Sequence, residues 1–292
     1  MNNNDLKYFC VLAETLHFGK AAQILHITQP PLTRTIKKLE EELGVQLFIR
    51  DQRNVRLTPA GEYLKRKGET LLSGLSEIEK EVKKIARGKS GQLHITSVGS
   101  IVHIILQYVN KFISKYPDVN IKLSQYTTAE QIKLIKSGEA DIAFVRCPLS
   151  SEGLELHDIF KEYFVLVTPK TFNKKVETPE DLHQLSHIPY ISFPREQGRG
   201  SFDRIISLCN MGGYSPDIKY EPYQLDTAIR MAEAGLGVTI VPECAMVGLK
   251  AEVNIYKLNF MPQQSTVSCY FSKNQDNPVL KNFLKEGLNL SI

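Results

Sequence analysis

The chain has 292 residues, 42% of them hydrophobic and 23% charged, which is ordinary for a globular protein and suggests more than one domain. Its net charge of +4 is uneven, because residues 1–91 hold 16 Lys/Arg against 11 Asp/Glu and residues 92–292 hold 20 against 21. The basic excess lies in the first third, where it suits contact with nucleic-acid phosphates but does not by itself identify such a partner. Five scattered cysteines are typical of reduced thiols, and no apolar run has the length of a signal core or a membrane span. We therefore expect a cytoplasmic protein without a membrane partner.

The segment from Phe18 to Gly44 predicts two short helices joined by a tight turn. Thr28 is placed to be the N-cap of the second helix, with its hydroxyl accepting a bond from a free backbone N–H. Pro30 and Pro31 fit the first turn, where missing N–H groups cost little, and Gly44 is a natural end. The apolar residues at helical spacing are Leu32, Ile36, Leu39 and Leu43.

The opposite face of that second helix carries groups suited to reading DNA. An amide and a guanidinium near its N-terminus can bond base edges, and cations beside them can contact phosphates. Strands at 45–50 and 55–58 are predicted to follow, forming a basic wing around the turn 51–54. The predicted DNA-binding residues are Gln29, Pro30, Pro31, Thr33, Arg34, Lys37, Arg50 and Arg53. We expect Gln29 and Arg34 to read bases; the alternative is a surface amphipathic hairpin without a ligand.

Residues 59–89 predict a long helix with one apolar stripe and one charged face. Nothing nearby in the sequence covers the stripe, which favours pairing with a second copy of the same helix; packing on its own chain is the alternative. Residues 87–91 then predict a hinge. From there strands and helices alternate to the C-terminus, which predicts mostly parallel sheets with ligands at the carboxyl ends of the strands.

Several short motifs in fixed order resemble those of the LysR-type transcriptional regulators. Gly19-Lys20 and Pro31 depart modestly from the family pattern, and neither change removes a base-reading group. The likeness extends to the C-terminus. The motifs are Leu6-Lys7-Tyr8-Phe9, Phe18-Gly19-Lys20-Ala21-Ala22, Gln29-Pro30-Pro31-Leu32-Thr33, Leu39-Glu40, Gly44, Leu47-Phe48-Ile49-Arg50 and Leu57-Thr58-Pro59-Ala60-Gly61.

The resemblance implies an α/β protein with an N-terminal all-α winged helix-turn-helix and a two-lobed effector domain like a periplasmic binding protein. We expect the winged domain at 1–58, the dimerisation helix and hinge at 59–90, and the effector-binding domain at 91–292. In that domain, lobe I would comprise 91–162 and 267–292, and lobe II 163–266, joined by crossing strands near 163–168 and 266–271. The partners implied are double-stranded DNA and further copies of the chain, as a homodimer or homotetramer.

An effector cleft is expected where strands end and helices begin. Gly99 and Ser100 follow the first strand, Thr128 follows the second, and Arg146 follows the third. Backbone N–H groups and hydroxyls at helix starts favour anions, and an arginine can fork onto a carboxylate. In resembling regulators, positions matching Ser100 and Thr128 contact a small organic acid, and Arg146 and Phe202 match pocket residues. The alternative is that both hydroxyls only cap helices and that Arg146 only pairs with an acidic neighbour.

The sequence contains no acid–base constellation or phosphate loop, and His183 and His187, which are four residues apart as in a metal pair, have no third ligand between them and are followed by Pro189. We therefore predict no enzyme activity, no metal and no cofactor besides the small-molecule effector, a carboxylate.

Two other functions stay open at this stage. A two-lobed binding protein without a regulatory role would fit residues 92–292 and leave the first ninety unexplained. A thiol-based redox-sensing regulator would need two partnered cysteines, whereas Cys147, Cys209 and Cys244 have no near neighbours in sequence.

Overall fold

The structure, a computed structural model, describes residues 1–51, 54–148 and 152–290. Contacts divide the chain into two units, Met1–Lys84 and Ile85–Ile292. The elements of the first unit are α1 (Asn3–Thr15), α2 (Phe18–Ile24), α3 (Gln29–Leu43), β1 (Phe48–Arg50), β2 (Val55–Leu57) and most of α4 (Pro59–Ala86). Its core contains Phe9, Leu12, Ala21, Leu32, Ile36, Leu39 and Phe48.

The helix that reads as a DNA-binding element, α3, starts and ends for identifiable reasons. Thr28 occupies its N-cap, but the Thr28 hydroxyl makes no capping hydrogen bond, contrary to our prediction. Pro30 and Pro31 lack N–H groups, so two of the donors that a cap would satisfy are absent. Gly44 ends α3 in the left-handed conformation, with φ of 68°, as its sequence predicts.

Helix α4 is 28 residues long and amphipathic. Near its start it packs on the first unit through Gly68, where an added Cβ would lie 2.9 Å from Cys10 Sγ and 2.9 Å from Leu6 Cδ1. Further along, its apolar stripe is exposed: Leu71 is 56% exposed, Ile78 61% and Val82 59%. Apolar side chains this exposed along one helix face indicate a surface that the single chain leaves uncovered.

The second unit alternates strands and helices. Its strands are β3 (Ser90–Ser97), β4 (Asp118–Gln125), β5 (Ile142–Arg146), β6 (Leu154–Pro169), β7 (Tyr190–Ile191), β8 (Ile218–Tyr220), β9 (Thr239–Pro242), β10 (Val253–Lys257) and β11 (Gln264–Ser272). Its helices are α5 (Val102–Lys115), α6 (Thr128–Ser137), α7 (Arg199–Met211), α8 (Leu225–Glu233) and α9 (Pro278–Asn282). Turns of 3₁₀ helix span Gly99–Ile101, Pro179–Leu185, Arg195–Gln197 and Glu243–Met246, and a π turn spans Phe283–Gly287.

The sheet pairing corrects the expectation of mostly parallel sheets. The main sheet has the order β10-β6-β11-β5-β3-β4, with β9 also paired to β6. Only the β3–β4 and β3–β5 pairs are parallel in it; β6 and β11 run antiparallel to each other and to their other neighbours. The reason is that β6 and β11 are the two crossing strands: β6 runs from the first lobe into the second, and β11 returns in the opposite direction.

Among the described residues of the second unit, the two largest of the four groups of buried apolar side chains follow the two lobes. The first surrounds Ile95, Phe112, Phe144 and Phe283 and takes residues from both ends of the unit. The second surrounds Phe164, Tyr190, Leu208 and Ile240. Cys244 is the exception to this division, because it comes from the turn after β9 and packs in the first group. The lobes are therefore in contact at the point where β9 ends.

Candidate nucleic-acid interface and ligand cavity

The start of α3 presents an exposed polar surface. Gln29, Pro30, Pro31 and Arg34 are exposed, and Thr33 donates a hydrogen bond from its hydroxyl to the Gln29 carbonyl at 3.2 Å. Within the part of the chain that the structure describes, the Arg34 side chain has no hydrogen-bond or ion-pair partner. Its donors are therefore available to a base edge or a phosphate.

Two basic residues of the predicted interface have protein partners. Lys37 lies 3.6 Å from Glu41 in an exposed pair, which a phosphate can displace at little cost. Arg50 donates to Glu40 at 2.9 Å, and its guanidinium lies 5.1 Å from the centre of the Phe18 ring. Glu40 also accepts the backbone N–H groups of Leu47 and Phe48. Arg50 thus ties the wing to α3, a structural function that we did not predict. Arg53 lies outside the described residues.

In the second unit, a cavity of about 320 Å³ opens where helices begin. The starts of α6, α7 and α8 and the 3₁₀ turn that leads into α5 all contribute to its wall. Only α6 has a side-chain cap, since Thr127 and Glu130 form a capping box, whereas the other three starts have no side-chain cap hydrogen bond. Uncapped helix starts leave N–H donors and partial positive charge facing the cavity. The polar and charged lining residues are Ser100, Gln125, Thr127, Thr128, Glu130, Arg146, Gln197, Ser201 and Gln224.

Hydroxyl groups lie at three of these helix starts. Ser100 belongs to the 3₁₀ turn, Thr128 is the first residue of α6, and Ser201 is the third residue of α7. Among the described residues, the hydroxyls of Thr128 and Ser201 have no protein hydrogen-bond partner, although Ser201 is only 7% exposed. A hydroxyl that lines a cavity and has no protein partner is a group suited to a ligand. Thr127, and not Thr128, caps α6.

Arg146 lines the cavity, but its guanidinium is directed at the protein. Nε donates to Ser100 Oγ at 2.9 Å, one terminal nitrogen donates to Glu162 and Ser265 at 2.7 Å each, and the other donates to Cys244 Sγ at 2.8 Å. The ion pair with Glu162 is buried, with side-chain exposures of 5% and 10%. The predicted fork onto a ligand carboxylate is therefore replaced by an internal pair, because a buried guanidinium needs its own counter-charge.

The Arg146–Glu162 pair connects both lobes with the crossing strands. Glu162 on β6 accepts the Cys244 N–H at 2.6 Å, and Ser265 lies on β11. Burial lowers the pKa of nearby His103, and the positive charge of Arg146 lowers it further. Since the Arg146 Nε–H occupies one lone pair of Ser100 Oγ, the Ser100 hydroxyl hydrogen points elsewhere and can be donated to a ligand.

The two remaining residues of the predicted effector site, Gly99 and Phe202, differ in whether they line the cavity. Gly99 lines the cavity, and a Cβ there would lie 3.0 Å from Gln125 Oε1 and 3.3 Å from Gln224 Oε1, so its missing side chain makes room for both amides. Phe202 is not among the residues that line the cavity, and it packs edge-on against Phe193 at 6.2 Å. The aromatic residues in the wall are Tyr126, Phe193 and Tyr223. The helical phase of α7 explains why Phe202 is not among them, because Ser201 faces the cavity and its neighbour is turned away.

The sequence analysis did not assign Gln125 or Gln224 to the cavity. Gln125 ends β4 and Gln224 precedes α8, so position at a strand end or helix start was the available signal.

No cluster of three or more metal-ligating side chains occurs in the described ranges, and none of their helices is long and apolar enough to cross a membrane. Among these residues the five cysteines are free and buried.

Comparison with known proteins identifies the chain's family. Residues 3–62 match the family described as "Bacterial regulatory helix-turn-helix protein, lysR family", and residues 86–288 match "LysR substrate binding domain". The chain is 31% identical to the transcriptional regulator AlsR of Bacillus subtilis (strain 168), over 97% of this chain and 94% of that protein. It is 33% identical to the regulator ClcR of Pseudomonas putida, over 97% of both chains.

Solved structures of a LysR family regulator, CbnR, are also similar. One matches with a TM-score of 0.88 and 27% identity, covering 98% of this chain and all of CbnR. Full-length CbnR in complex with its target DNA matches with a TM-score of 0.84 and 26% identity, over 99% of both chains. The chain therefore belongs to the LysR family of bacterial transcriptional regulators. It is a DNA-binding regulator with a C-terminal effector-binding domain, and its relatives are regulators and not enzymes.

Proposed function

We propose that this regulator is controlled by a small organic acid, whose carboxylate binds in the cavity of the second unit among Gly99, Ser100, Thr128 and Ser201. The observation that carries the proposal is that three uncapped helix starts line one cavity of about 320 Å³. The hydroxyls of Thr128 and Ser201, which have no hydrogen-bond partner among the described residues, line the same cavity. Such a volume suits a small metabolite.

The binding would be electrostatic without a free cation. Partial positive charge at each helix start stabilises an anion, and hydroxyls and backbone N–H groups supply the hydrogen bonds. Arg146 contributes indirectly, since its bond to Ser100 Oγ fixes the direction of that hydroxyl. Because the wall comes from both lobes, a ligand that bonds both favours the arrangement in which they are close. It can change DNA binding only by this difference in affinity.

We propose further that the chain forms a homodimer through α4, and a homotetramer from two such dimers. The support is the exposed stripe Leu71, Leu75, Ile78, Val82 and Ile85 on α4. Ile78→Asp would place a charge in that seam, and we expect the mass seen by light scattering at low micromolar concentration to fall toward the monomer. Glu79→Ala, on the charged face, is the control and should leave the mass unchanged. An unchanged mass for Ile78→Asp would exclude α4 as the dimer contact.

The effector proposal is tested with the full-length chain by thermal shift against a panel of small organic acids, followed by calorimetry on those that raise the melting temperature. We expect Thr128→Ala to weaken binding of the acid by about 1–2 kcal/mol, because a hydrogen bond to a charged group is lost. Operator affinity without the acid should stay unchanged. Ser114→Ala is the matched control, since the Ser114 hydroxyl bonds only its own helix, at 2.7 Å from the Asn110 carbonyl. Equal acid affinity in Thr128→Ala and wild type would place the effector elsewhere.

A further inference from the structure

The charges in the cavity wall restrict which acid can bind. Among the described lining residues, only Arg146 and Glu130 carry a full charge at neutral pH. Arg146 is paired with buried Glu162 at 2.7 Å, so that pair adds little net charge. The exposed carboxylate of Glu130 is the one full charge left over among these lining residues, and it lies in the same wall as the partial positive charge of the uncapped helix starts.

Glu130 is held in its place by the start of α6. Its Oε2 accepts the backbone N–H of Thr127 at 2.9 Å and the Thr127 hydroxyl at 2.7 Å. These hydrogen bonds lower the pKa of Glu130, so it stays ionised at neutral pH. In the ranges that the structure describes, no cation lies within ion-pair distance of Glu130, and Lys133 on the next turn has only a smaller electrostatic effect.

The same carboxylate occupies the anion-binding end of α6. A capping-box glutamate satisfies N–H donors that would otherwise be free for a ligand. The uncapped starts at Gly99, Gly198 and Gln224 therefore remain as sources of free N–H groups for an effector carboxylate, and at the start of α6 the Thr128 hydroxyl is left to donate to it. The uncapped helix starts therefore favour one anionic group in the cavity, and the Glu130 carboxylate repels a second one.

We propose, on the basis of the function proposed above, that the effector is a monocarboxylate with an uncharged remainder and that Glu130 is the residue that excludes dicarboxylates. A second carboxylate on the α6 side of the cavity would lie beside Glu130, and the described residues of the wall include no unpaired cation to meet it. Two like charges about 4 Å apart repel enough, even in water, to weaken binding by roughly five- to tenfold, and more in a less hydrated site.

The uncharged remainder has its own partners in the wall. Gln125 from β4 and Gln224 before α8 both direct their carbonyl oxygens to the space above Gly99, one from each lobe. Amide groups accept from and donate to neutral hydroxyl and carbonyl groups. These two glutamines therefore suit the neutral polar end of a singly charged acid.

The experiment is calorimetry on the full-length chain with matched pairs of acids: butanoate and butanedioate, hexanoate and hexanedioate, benzoate and benzene-1,4-dicarboxylate, with 3-hydroxybutanoate added to test the glutamines. We expect at least one monocarboxylate to bind and its dicarboxylate partner to bind at least tenfold more weakly. Glu130→Gln keeps a capping side chain without the charge, and it should reduce that ratio to about threefold or less. Glu139→Gln, beyond the other end of α6, is the matched control and should leave the ratio unchanged.

The possible results separate this inference from the proposed function. A dicarboxylate that binds wild type as tightly as its partner, or a ratio that Glu130→Gln leaves unchanged, overturns the exclusion by Glu130. In that case the cavity is still supported as the effector site if Thr128→Ala lowers the affinity for the acids that bind. Absence of binding by every acid, or binding that Thr128→Ala does not weaken, overturns both the proposed function and this inference.

Discussion

The α3 surface and the cavity of the second unit each contain an arginine at the place where a ligand is expected, and the two arginines differ in their surroundings. Arg34 on α3 is exposed and, among the described residues, has no partner. Arg146 is 6% exposed and bonded to Ser100, Glu162, Ser265 and Cys244. Water solvates the first until DNA arrives, whereas the second needs permanent protein partners. Residue type and position in the sequence do not distinguish these two cases; burial does.

The largest expected effect tests the buried member of this comparison. Glu162→Ala leaves the Arg146 guanidinium buried without a counter-charge, which should destabilise the second unit by about 3–5 kcal/mol. Urea unfolding followed by circular dichroism measures it. Lys161→Ala alters the exposed neighbour on the same strand and should change stability by less than about 0.5 kcal/mol. A similar small loss for both variants would mean that Arg146 does not depend on Glu162.

The exposed arginine predicts a smaller effect on a different property. Arg34→Ala should weaken operator binding by about 1–3 kcal/mol and relax specificity at one base pair. Lys37→Ala should weaken all DNA sequences alike and reduce the slope of log K against log salt by about 1. Fluorescence anisotropy with operator variants at several salt concentrations distinguishes them. If Arg34→Ala loses the same free energy on every variant, it contacts phosphate and not a base.

Arg50 is intermediate between the two arginines, because it is exposed and also paired with Glu40. Arg50→Ala should destabilise the first unit by only about 0.5–1 kcal/mol, the usual value of an exposed ion pair with a ring contact. The slope of log K against log salt for operator binding then shows whether Arg50 also contacts a phosphate. A slope smaller by about 1 indicates a phosphate contact as well, and an unchanged slope restricts Arg50 to holding the wing. Arg56→Ala is a control for the stability effect, since Arg56 lies 4.0 Å from Asp51 in an exposed pair.

The smallest effect is expected from oxidation, which tests the redox alternative. Burial raises the pKa of Cys10, Cys209 and Cys244 to about 11 and that of Cys269 to about 12, so these thiols stay protonated and unreactive at neutral pH. Operator affinity should be the same before and after exposure to submillimolar peroxide, and mass spectrometry should find these cysteines unmodified. A peroxide-induced change in operator affinity that is absent in a Cys244→Ser variant would support the thiol-sensing function instead.

Much of the fold follows from local patterns. The stripe of Leu32, Ile36 and Leu39 with Gly44 at its end determines α3, and the long amphipathic pattern determines α4. The alternation of strands and helices in the second unit is also as predicted. The short edge strand β10 depends instead on pairing with β6, 84 or more residues earlier in the chain.

Only the tertiary structure decided how the polar groups are used. The sequence placed Gly99, Ser100, Thr128 and Arg146 at strand ends, and these residues do line one cavity. It did not indicate that β6 would bring Glu162 to Arg146, or that Ser201 and not Phe202 would face inward. Periodicity reports which side of an element is apolar and thereby fixes helices and strands locally. The partner of a buried charge depends instead on contacts between residues far apart in sequence, which exist only after the sheet has formed.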